Sequence, residues 1–178
     1  MFKSELDLAR PFTPLSIAVL SVSDTRTLET DTGGALLKSL MEADGHSCLQ
    51  RAVARDDIHQ IRARVLEWVV NPAVDVIITT GGTGFTGRDV TPEALEPLFQ
   101  KRIDGFSVLF HQYSATTVGT STLQSRATGG LIGETFVFCL PGSRGACRDG
   151  WEGILRAQLD NRHKPCNFVE LMPRLAER

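Results

Sequence analysis

The chain has 178 residues, of which 42% are hydrophobic and 22% are charged, and these values are ordinary for one soluble globular domain. The formal net charge of −2 provides no basic excess to neutralise a phosphate backbone, so we expect no nucleic acid partner. No apolar run approaches the roughly 18 residues that a membrane-spanning helix needs, and the N-terminus lacks a signal-peptide core, so we expect no membrane partner.

The cysteines and histidines are scattered along the chain. The four cysteines are Cys48, Cys139, Cys147 and Cys166, and none of them belongs to a C-x-x-C pair. This spacing is typical of reduced thiols in a cytoplasmic protein rather than of a disulfide framework. The four histidines show no metal-ligand spacing either, so we expect no zinc site.

The first half of the chain predicts alternating strands and helices. Residues 1–14 are mixed in polarity, and we expect an arm that lies on the surface or on a neighbouring subunit. A buried strand over 15–22 precedes a helix over about 31–43. A second strand over about 47–54 precedes a helix over about 57–69, in which apolar residues recur at helical spacing.

Polar and acidic residues follow both of these strands. Ser23 and Asp24 come after the first strand, and Asp56 and Asp57 come after the second. Asp57 with Gln60 three residues later resembles a capping box, so we expect one of the two acids to be a helix N-cap. The other would then face the crevice at the carboxyl ends of the strands, where ligands bind in open α/β sheets.

A glycine-rich loop follows the third predicted strand. In order, the chain has Val76-Ile77-Ile78, Thr79-Thr80, Gly81-Gly82-Thr83-Gly84, Arg88-Asp89 and Thr91-Pro92. Glycines leave backbone N–H groups unshielded, and a helix is predicted to begin with Thr91 as its cap. These features, with a carboxylate able to hold Mg²⁺, suit a phosphate ester. The alternative is a turn that only reverses the chain, since neither a Walker A motif nor G-x-G-x-x-G spacing is present.

The second half of the chain predicts further helices and one more buried strand. We expect helices over about 91–100 and 103–113, a strand over 136–140 and a helix over about 146–159. The Ser/Thr-rich stretch before this strand carries Arg126. The sequence therefore predicts one three-layer α/β domain over residues 15–160. Residues 161–178 are expected to form a tail packed on the domain or on a neighbouring subunit.

Five short motifs occur in an order that resembles a known family. They are Ser21–Arg26, Thr79–Phe85, Arg88–Ala94, Leu123–Arg126 and Leu140–Ser143. This combination resembles the MoaB/MogA family of molybdenum-cofactor biosynthesis proteins over about residues 15–168. The closing stretch, with Ala146–Arg148, Trp151-Glu152 and Pro165–Phe168, is similar to the bacterial MoaB branch in particular.

The resemblance implies a fold, an assembly and a reaction. Members of the family have an α/β/α sandwich with a mostly parallel central sheet, and they assemble as trimers or hexamers. They bind molybdopterin, and active members use Mg-ATP to adenylylate its terminal phosphate. By position, Asp56 and Asp89 match the two functional acids and would hold Mg²⁺, with Asp57 as the alternative to Asp56. We therefore expect a homo-oligomer, ATP and molybdopterin as ligands, and a Mg²⁺ cofactor.

The resemblance also implies a set of substrate-binding residues. They are Ser23, Asp24, Thr80, Gly81, Gly82, Thr83, Gly84, Arg88, Ser125, Arg126, Pro141, Gly142 and Ser143. Arg88 or Arg126 would offset phosphate charge, and Arg144 is a further candidate. Each arginine could instead be an ordinary surface residue. The apolar residues Val108, Leu109 and Phe110 favour an oligomer, because one small domain need not bury all three.

One residue departs from the pattern of the adenylylating members. They commonly carry Asn before Leu-Pro-Gly, where this chain has Cys139, and a thiol is a poor substitute for an amide as donor or acceptor. Two main hypotheses therefore stand, a molybdopterin adenylyltransferase and a non-catalytic molybdopterin carrier or scaffold. A generic nucleotide-binding domain is a third, disfavoured because the standard loops are missing.

Overall fold

A computed structural model describes residues 5–177, so the first four residues of the predicted arm and the last residue of the predicted tail lie outside the described residues. The strands are β1 (Glu5–Leu6), β2 (Ser16–Val22), β3 (Ser47–Ala54), β4 (Val76–Thr80), β5 (Lys101–Arg102), β6 (Thr128–Ile132), β7 (Thr135–Leu140) and β8 (His163–Lys164). Six of them form a sheet in the order β3-β2-β4-β7-β6-β5. The first four in that order are parallel, whereas β6 runs antiparallel to β7 and to β5.

The helices lie on both faces of this sheet. They are α1 (Thr32–Ala43), α2 (Ile58–Val69), α3 (Thr91–Leu95), α4 (Asp104–Val118), α5 (Arg144–Gly150) and α6 (Arg156–Gln158). A π-helical turn, Trp151–Leu155, joins α5 to α6. Short 3₁₀ turns cover Glu96–Leu98, Gly119–Gln124 and Met172–Arg174.

Two hydrophobic clusters hold the layers together, one on each face of the sheet. Along β2, Ile17 and Val19 join the cluster under α1, α4 and α5, while Ala18 and Leu20 join the cluster under α2 and α3. This alternation follows from the two-residue period of a strand. Because each fully buried large apolar side chain contributes roughly 1.5–3 kcal/mol, the clusters fix both helical layers. The predicted three-layer α/β/α sandwich with a mostly parallel sheet is confirmed.

The sheet contains strands that the sequence analysis did not assign. β6 has the sequence Thr-Gly-Gly-Leu-Ile, and its glycines hide the strand pattern. The structure explains Gly130, because a Cβ there would overlap the ring of Phe99. A side chain at Gly130 is therefore excluded by packing, and such a requirement cannot be read from propensity.

Two predicted helices have different bounds from those expected. The helix expected to run from Thr91 to residue 100 ends at Leu95 and tightens into a 3₁₀ turn at Glu96, because Pro97 has no N–H to donate to the Glu93 carbonyl. The helix expected over 103–113 continues to Val118 and ends at Gly119, which has a φ of +59°.

The arm and the tail of the chain contact each other. β1 pairs with β8 in a small antiparallel sheet, with Glu5 opposite Lys164. Farther along the tail, the ring of Phe168 lies 4.8 Å from that of Phe136. Within the described part of the chain, no helix has both the length and the apolar character to cross a membrane.

The three apolar residues that favoured an oligomer differ in exposure. Phe110 is buried in the core, Leu109 is partly buried against it, and Val108 is 55% exposed. Phe110 was therefore wrongly counted as available for a subunit contact. Only Val108 is largely exposed among the three.

Candidate active site

The predicted site residues lie in loops at one edge of the sheet. The parallel strands β3, β2, β4 and β7 are neighbours, so the loops after them meet at their carboxyl ends. The segment before β6 joins this edge because β6 is antiparallel to β7. The backbone N–H of Arg126 donates to the Thr83 carbonyl at 2.9 Å, which places Ser125 and Arg126 beside the glycine-rich loop.

The carbonyl groups of the glycine-rich loop are bonded within the protein. Thr91 donates from its N–H to the Gly82 carbonyl at 2.9 Å and from Oγ1 to the Gly81 carbonyl at 2.8 Å. The N–H groups of Gly82 and Thr83, in contrast, find no hydrogen-bond acceptor among residues 5–177. A loop whose carbonyl groups are hydrogen-bonded within the protein and whose N–H groups are free is suited to bind an anionic oxygen.

Asp89 sits directly against this loop. Its Oδ2 accepts hydrogen bonds from the Thr86 N–H at 2.9 Å and from Thr86 Oγ1 at 2.6 Å. A Cβ placed on Gly84 would lie 2.8 Å from the same Oδ2, so only glycine permits this approach. The hydrogen bond from the Thr86 side chain is the main cause that lowers the pKa of Asp89, and the carboxylate is ionised.

The structure separates the roles of the two acids after β3. Asp57 is the N-cap of α2, where its side chain accepts from the Gln60 N–H at 2.9 Å. Asp56 instead faces the loop, since a Cβ placed on Gly82 would lie 3.2 Å from its Oδ1. Burial, followed by the charge of Asp24, raises the pKa of Asp56, and Asp89 adds to the effect. Asp56 is therefore the acid that belongs to this crevice.

Arg88 and Asp24 form an ion pair between two of the loops. Arg88 Nε and Nη2 lie 2.8 and 2.5 Å from Asp24 Oδ2. Hydrogen bonding to Arg88 lowers the pKa of Asp24, while the Arg88 side chain remains 65% exposed. Because exposed ion pairs are worth little, Arg88 can exchange Asp24 for a ligand phosphate at small cost.

Arg126 has a different role from the one expected. Its Nε donates to the Gly84 carbonyl and its Nη2 to the Asp89 carbonyl, both at 2.8 Å. The remaining nitrogen, Nη1, pairs with Glu93, and the guanidinium lies 5.4 Å from the centre of the Phe85 ring. Arg126 therefore positions the loop, whereas Arg88 and the exposed Arg144 are available to a ligand.

Several other predicted contact residues are also bonded within the protein. Thr80 is buried, and its hydroxyl donates to the Pro141 carbonyl at 3.0 Å, so it cannot face a ligand as expected. Ser143 is the N-cap of α5. Ser23 accepts from the N–H groups of Thr25 and Arg26, and Ser125 donates to the Thr122 carbonyl. Gly142 lies against Gly81, with 3.1 Å between a Cβ placed on Gly142 and the Gly81 Cα.

Two residues contribute to the site in ways that were not expected from the sequence. Thr91 was expected to cap α3, but the N-cap is Val90 and the Thr91 side chain fixes Gly81 instead. Cys147 lies 3.2 Å from Thr80 Oγ1, between α5 and the end of β4. No sequence signal distinguished this cysteine from the other three.

Cys139 does not line the crevice. It is fully buried among the apolar residues under α2 and α3, where desolvation raises its pKa to about 12. A residue at this position can influence the site only through packing beneath α3. The Cys139 thiol therefore does not stand in the crevice as a replacement for an amide that contacts a ligand.

The carboxylates in the crevice suit a magnesium ion whose other ligands are phosphate oxygens and water. Within residues 5–177, no group of three or more His, Cys, Asp or Glu side chains is arranged to hold a metal alone. Mg²⁺ is commonly held by one or two carboxylates, with water and substrate phosphates completing the shell. Asp56 fits this description, because burial and then the charge of Asp24 raise its pKa, and a bound cation would favour its ionised form.

Comparisons with known proteins agree on one family. Residues 18–161 match the family described as "Probable molybdopterin binding domain". The Molybdenum cofactor biosynthesis protein B of Escherichia coli (strain K12) is 45% identical over 157 residues, covering 88% of this chain and 92% of the relative. The protein of the same name from Staphylococcus carnosus (strain TM300) is 44% identical over 150 residues, covering 83% and 88%.

Solved structures give the same result. A crystal structure of a Molybdenum cofactor biosynthesis protein B superposes with a TM-score of 0.85 at 35% identity, covering 95% of this chain and all of the other. The tungsten cofactor synthesizing protein MoaB from Pyrococcus furiosus superposes with a TM-score of 0.71 at 33% identity, covering 78% and 89%.

Proposed function

Because the chain belongs to the MoaB/MogA family of molybdenum-cofactor biosynthesis proteins, we propose that it adenylylates the terminal phosphate of bound molybdopterin with Mg-ATP. The observation that carries this proposal is the pair of free N–H groups on Gly82 and Thr83, which lie beside Asp56 and Asp89. We place the reaction in the cytoplasm, a proposal that is based on the scattered cysteines.

The proposed reaction needs positioning and charge neutralisation more than covalent help. An oxygen of the molybdopterin phosphate attacks the α-phosphorus of ATP, the bond between that phosphorus and the bridging oxygen to the β-phosphate breaks, and pyrophosphate leaves with the electron pair. The free N–H groups and Arg88 offset the negative charge of the phosphates. Asp56 and Asp89 would hold Mg²⁺, which supplies further charge neutralisation when bound.

A non-catalytic carrier is the second candidate. The observation that favours it is that two of the three nearby carboxylates already have partners, since Asp24 is paired with Arg88 and Asp89 with Thr86. A protein that only binds molybdopterin needs the free N–H groups and Arg88, but not a metal. The two candidates therefore share the binding step and differ in turnover.

We expect Arg88→Gln to weaken molybdopterin binding about tenfold, since a charge-assisted hydrogen bond contributes roughly 1.5–3 kcal/mol. Equilibrium dialysis with molybdopterin measures this change. Arg102→Gln is the matched control, because Arg102 is also an exposed arginine paired with carboxylates, at β5 and away from the crevice. Equal affinities for the two variants would remove Arg88 from the binding site.

We further propose that the chain forms a trimer or a hexamer, supported by the family resemblance and by the exposed Val108 on α4. Light scattering at micromolar concentration should give a mass of about three or six times the chain mass of 19.5 kDa. A mass near that of one chain would refute this assembly.

A further inference from the structure

Two adjacent threonines end β4, and they differ in one respect. Thr79 and Thr80 are both buried, on opposite faces of the strand. The hydroxyl of Thr79 makes no hydrogen bond to the neighbouring turn and lies beside the Cys139 thiol. The hydroxyl of Thr80 reaches across to the neighbouring turn and donates to the Pro141 carbonyl at 3.0 Å.

Cys147 completes a small buried network around Thr80. Its Sγ lies 3.2 Å from Thr80 Oγ1 and 3.9 Å from the Pro141 oxygen. The single hydroxyl proton of Thr80 is donated to Pro141, so the Thr80 oxygen can accept from the thiol. Burial raises the pKa of Cys147 to about 11, which keeps the thiol protonated at neutral pH. The network therefore runs from α5 through β4 to the turn after β7.

This network joins the two glycine turns of the candidate site. The Gly81 N–H donates to the Leu140 carbonyl at 3.0 Å and closes the backbone pairing of β4 with β7. Beyond that point Pro141 has no N–H to offer, and the Thr80 side chain supplies the next link. The turn at Gly142 then packs closely on Gly81, since a Cβ on Gly142 would lie 3.1 Å from the Gly81 Cα.

We propose that Thr80 and Cys147 are positioning residues that hold the Gly142 turn against the Gly81–Gly84 loop. Neither side chain touches a ligand. They fix the distance between the loop that carries the free N–H groups of Gly82 and Thr83 and the N-terminus of α5. The consequence for affinity rests on the proposed function, whereas the positioning itself does not.

Amide hydrogen exchange on the ligand-free protein tests the positioning directly. In Thr80→Val, which keeps the shape and removes the hydroxyl, the amides of Gly81 and Ala146, which donate to Leu140 and Ser143, should exchange about tenfold faster, because the hydroxyl contacts to Pro141 and Cys147 are lost. Thr79→Val is the matched control, since it removes an equally buried hydroxyl that bonds to neither turn, and it should leave both turns unchanged. Thr80→Ser should restore the wild-type rates.

Molybdopterin dialysis on the same variants separates this inference from the proposed function. Molybdopterin binding that is weaker in Thr80→Val than in Thr79→Val, and is restored in Thr80→Ser, supports both the positioning role and the proposed function. Faster exchange in a protein whose wild type binds no molybdopterin supports the positioning role and refutes the function. Equal exchange in Thr80→Val and Thr79→Val overturns the inference. If Thr80→Val does not fold, Cys147→Ala is measured instead. Unchanged amide exchange in the Gly81–Gly84 loop and the Gly142 turn of that variant would overturn the inference.

Discussion

Gly81→Ala should lower the free energy of unfolding by about 3–5 kcal/mol, which corresponds to roughly 10 °C in melting temperature for a chain of this size. Two effects combine at this position. Gly81 has a φ of +104°, a conformation that costs a non-glycine residue about 1–3 kcal/mol. In addition, a Cβ would overlap the backbone carbonyl oxygen of Val22 on the adjacent strand, and backbone cannot move aside as a flexible side chain can.

Gly87→Ala is the matched control for this variant. Gly87 lies in the same loop, is not among the glycines with positive φ, and has no heavy atom within 4 Å of the position that a Cβ would take. We expect a change within about 0.5 kcal/mol. Thermal unfolding followed by circular dichroism measures both variants. Similar melting temperatures for the two variants would contradict the close contact between Gly81 and the Val22 carbonyl.

Asp56→Asn should affect stability and activity in opposite directions. The folded pKa of Asp56 is raised by burial and by Asp24, so its ionised form is disfavoured in the folded state. The penalty is absent below the unfolded pKa and is fully present above the folded pKa. At neutral pH the Asn variant should therefore melt at a higher temperature than the wild type, and this gain should vanish in acid.

The same substitution should reduce AMP transfer roughly 100-fold or more, because it removes a charge that would hold Mg²⁺. Asp57→Asn is the control. Asp57 caps α2, and Asn serves equally well as an N-cap, so neither stability nor transfer should change. An Asp56→Asn protein that loses stability and keeps full activity would make Asp56 a structural residue.

Asp89→Asn should change the stability of the fold in the direction opposite to Asp56→Asn. The pKa of Asp89 is lowered by Thr86, so the ionised carboxylate stabilises the fold above the unfolded pKa, and that contribution is lost as pH falls through the folded pKa. The Asn variant should be less stable at neutral pH and should lose AMP transfer while molybdopterin still binds. A fully active Asp89→Asn protein would end its proposed role in holding a metal.

The sequence allowed the layers of the fold to be predicted, because apolar periodicity is a direct consequence of helix and strand geometry. The buried run Val76-Ile77-Ile78 and the helical spacing over 57–69 both correspond to observed elements. β6 was missed because its two glycines hide the strand pattern, and Gly130 is required by the ring of Phe99, a contact distant in sequence.

The membership of the candidate site was less predictable than its location. A strand buried on both faces gives no sign of where its side chains point, so Thr80 was expected to bind a ligand although its hydroxyl faces Pro141. Arg126 was expected to meet a phosphate, but its three nitrogens bond to Gly84, Asp89 and Glu93. The choice between Asp56 and Asp57 was settled by the N-cap bond to Gln60.

Pyrophosphate release is the most direct test of the proposed function. The purified protein is mixed with molybdopterin, ATP and Mg²⁺, and pyrophosphate and adenylylated molybdopterin are quantified together, with Asp56→Asn and Asp57→Asn run in parallel. We predict equal amounts of the two products from the wild type and from Asp57→Asn, and almost none from Asp56→Asn. Molybdopterin that binds the wild-type protein without any pyrophosphate release would contradict the adenylyltransferase and leave the carrier as the function.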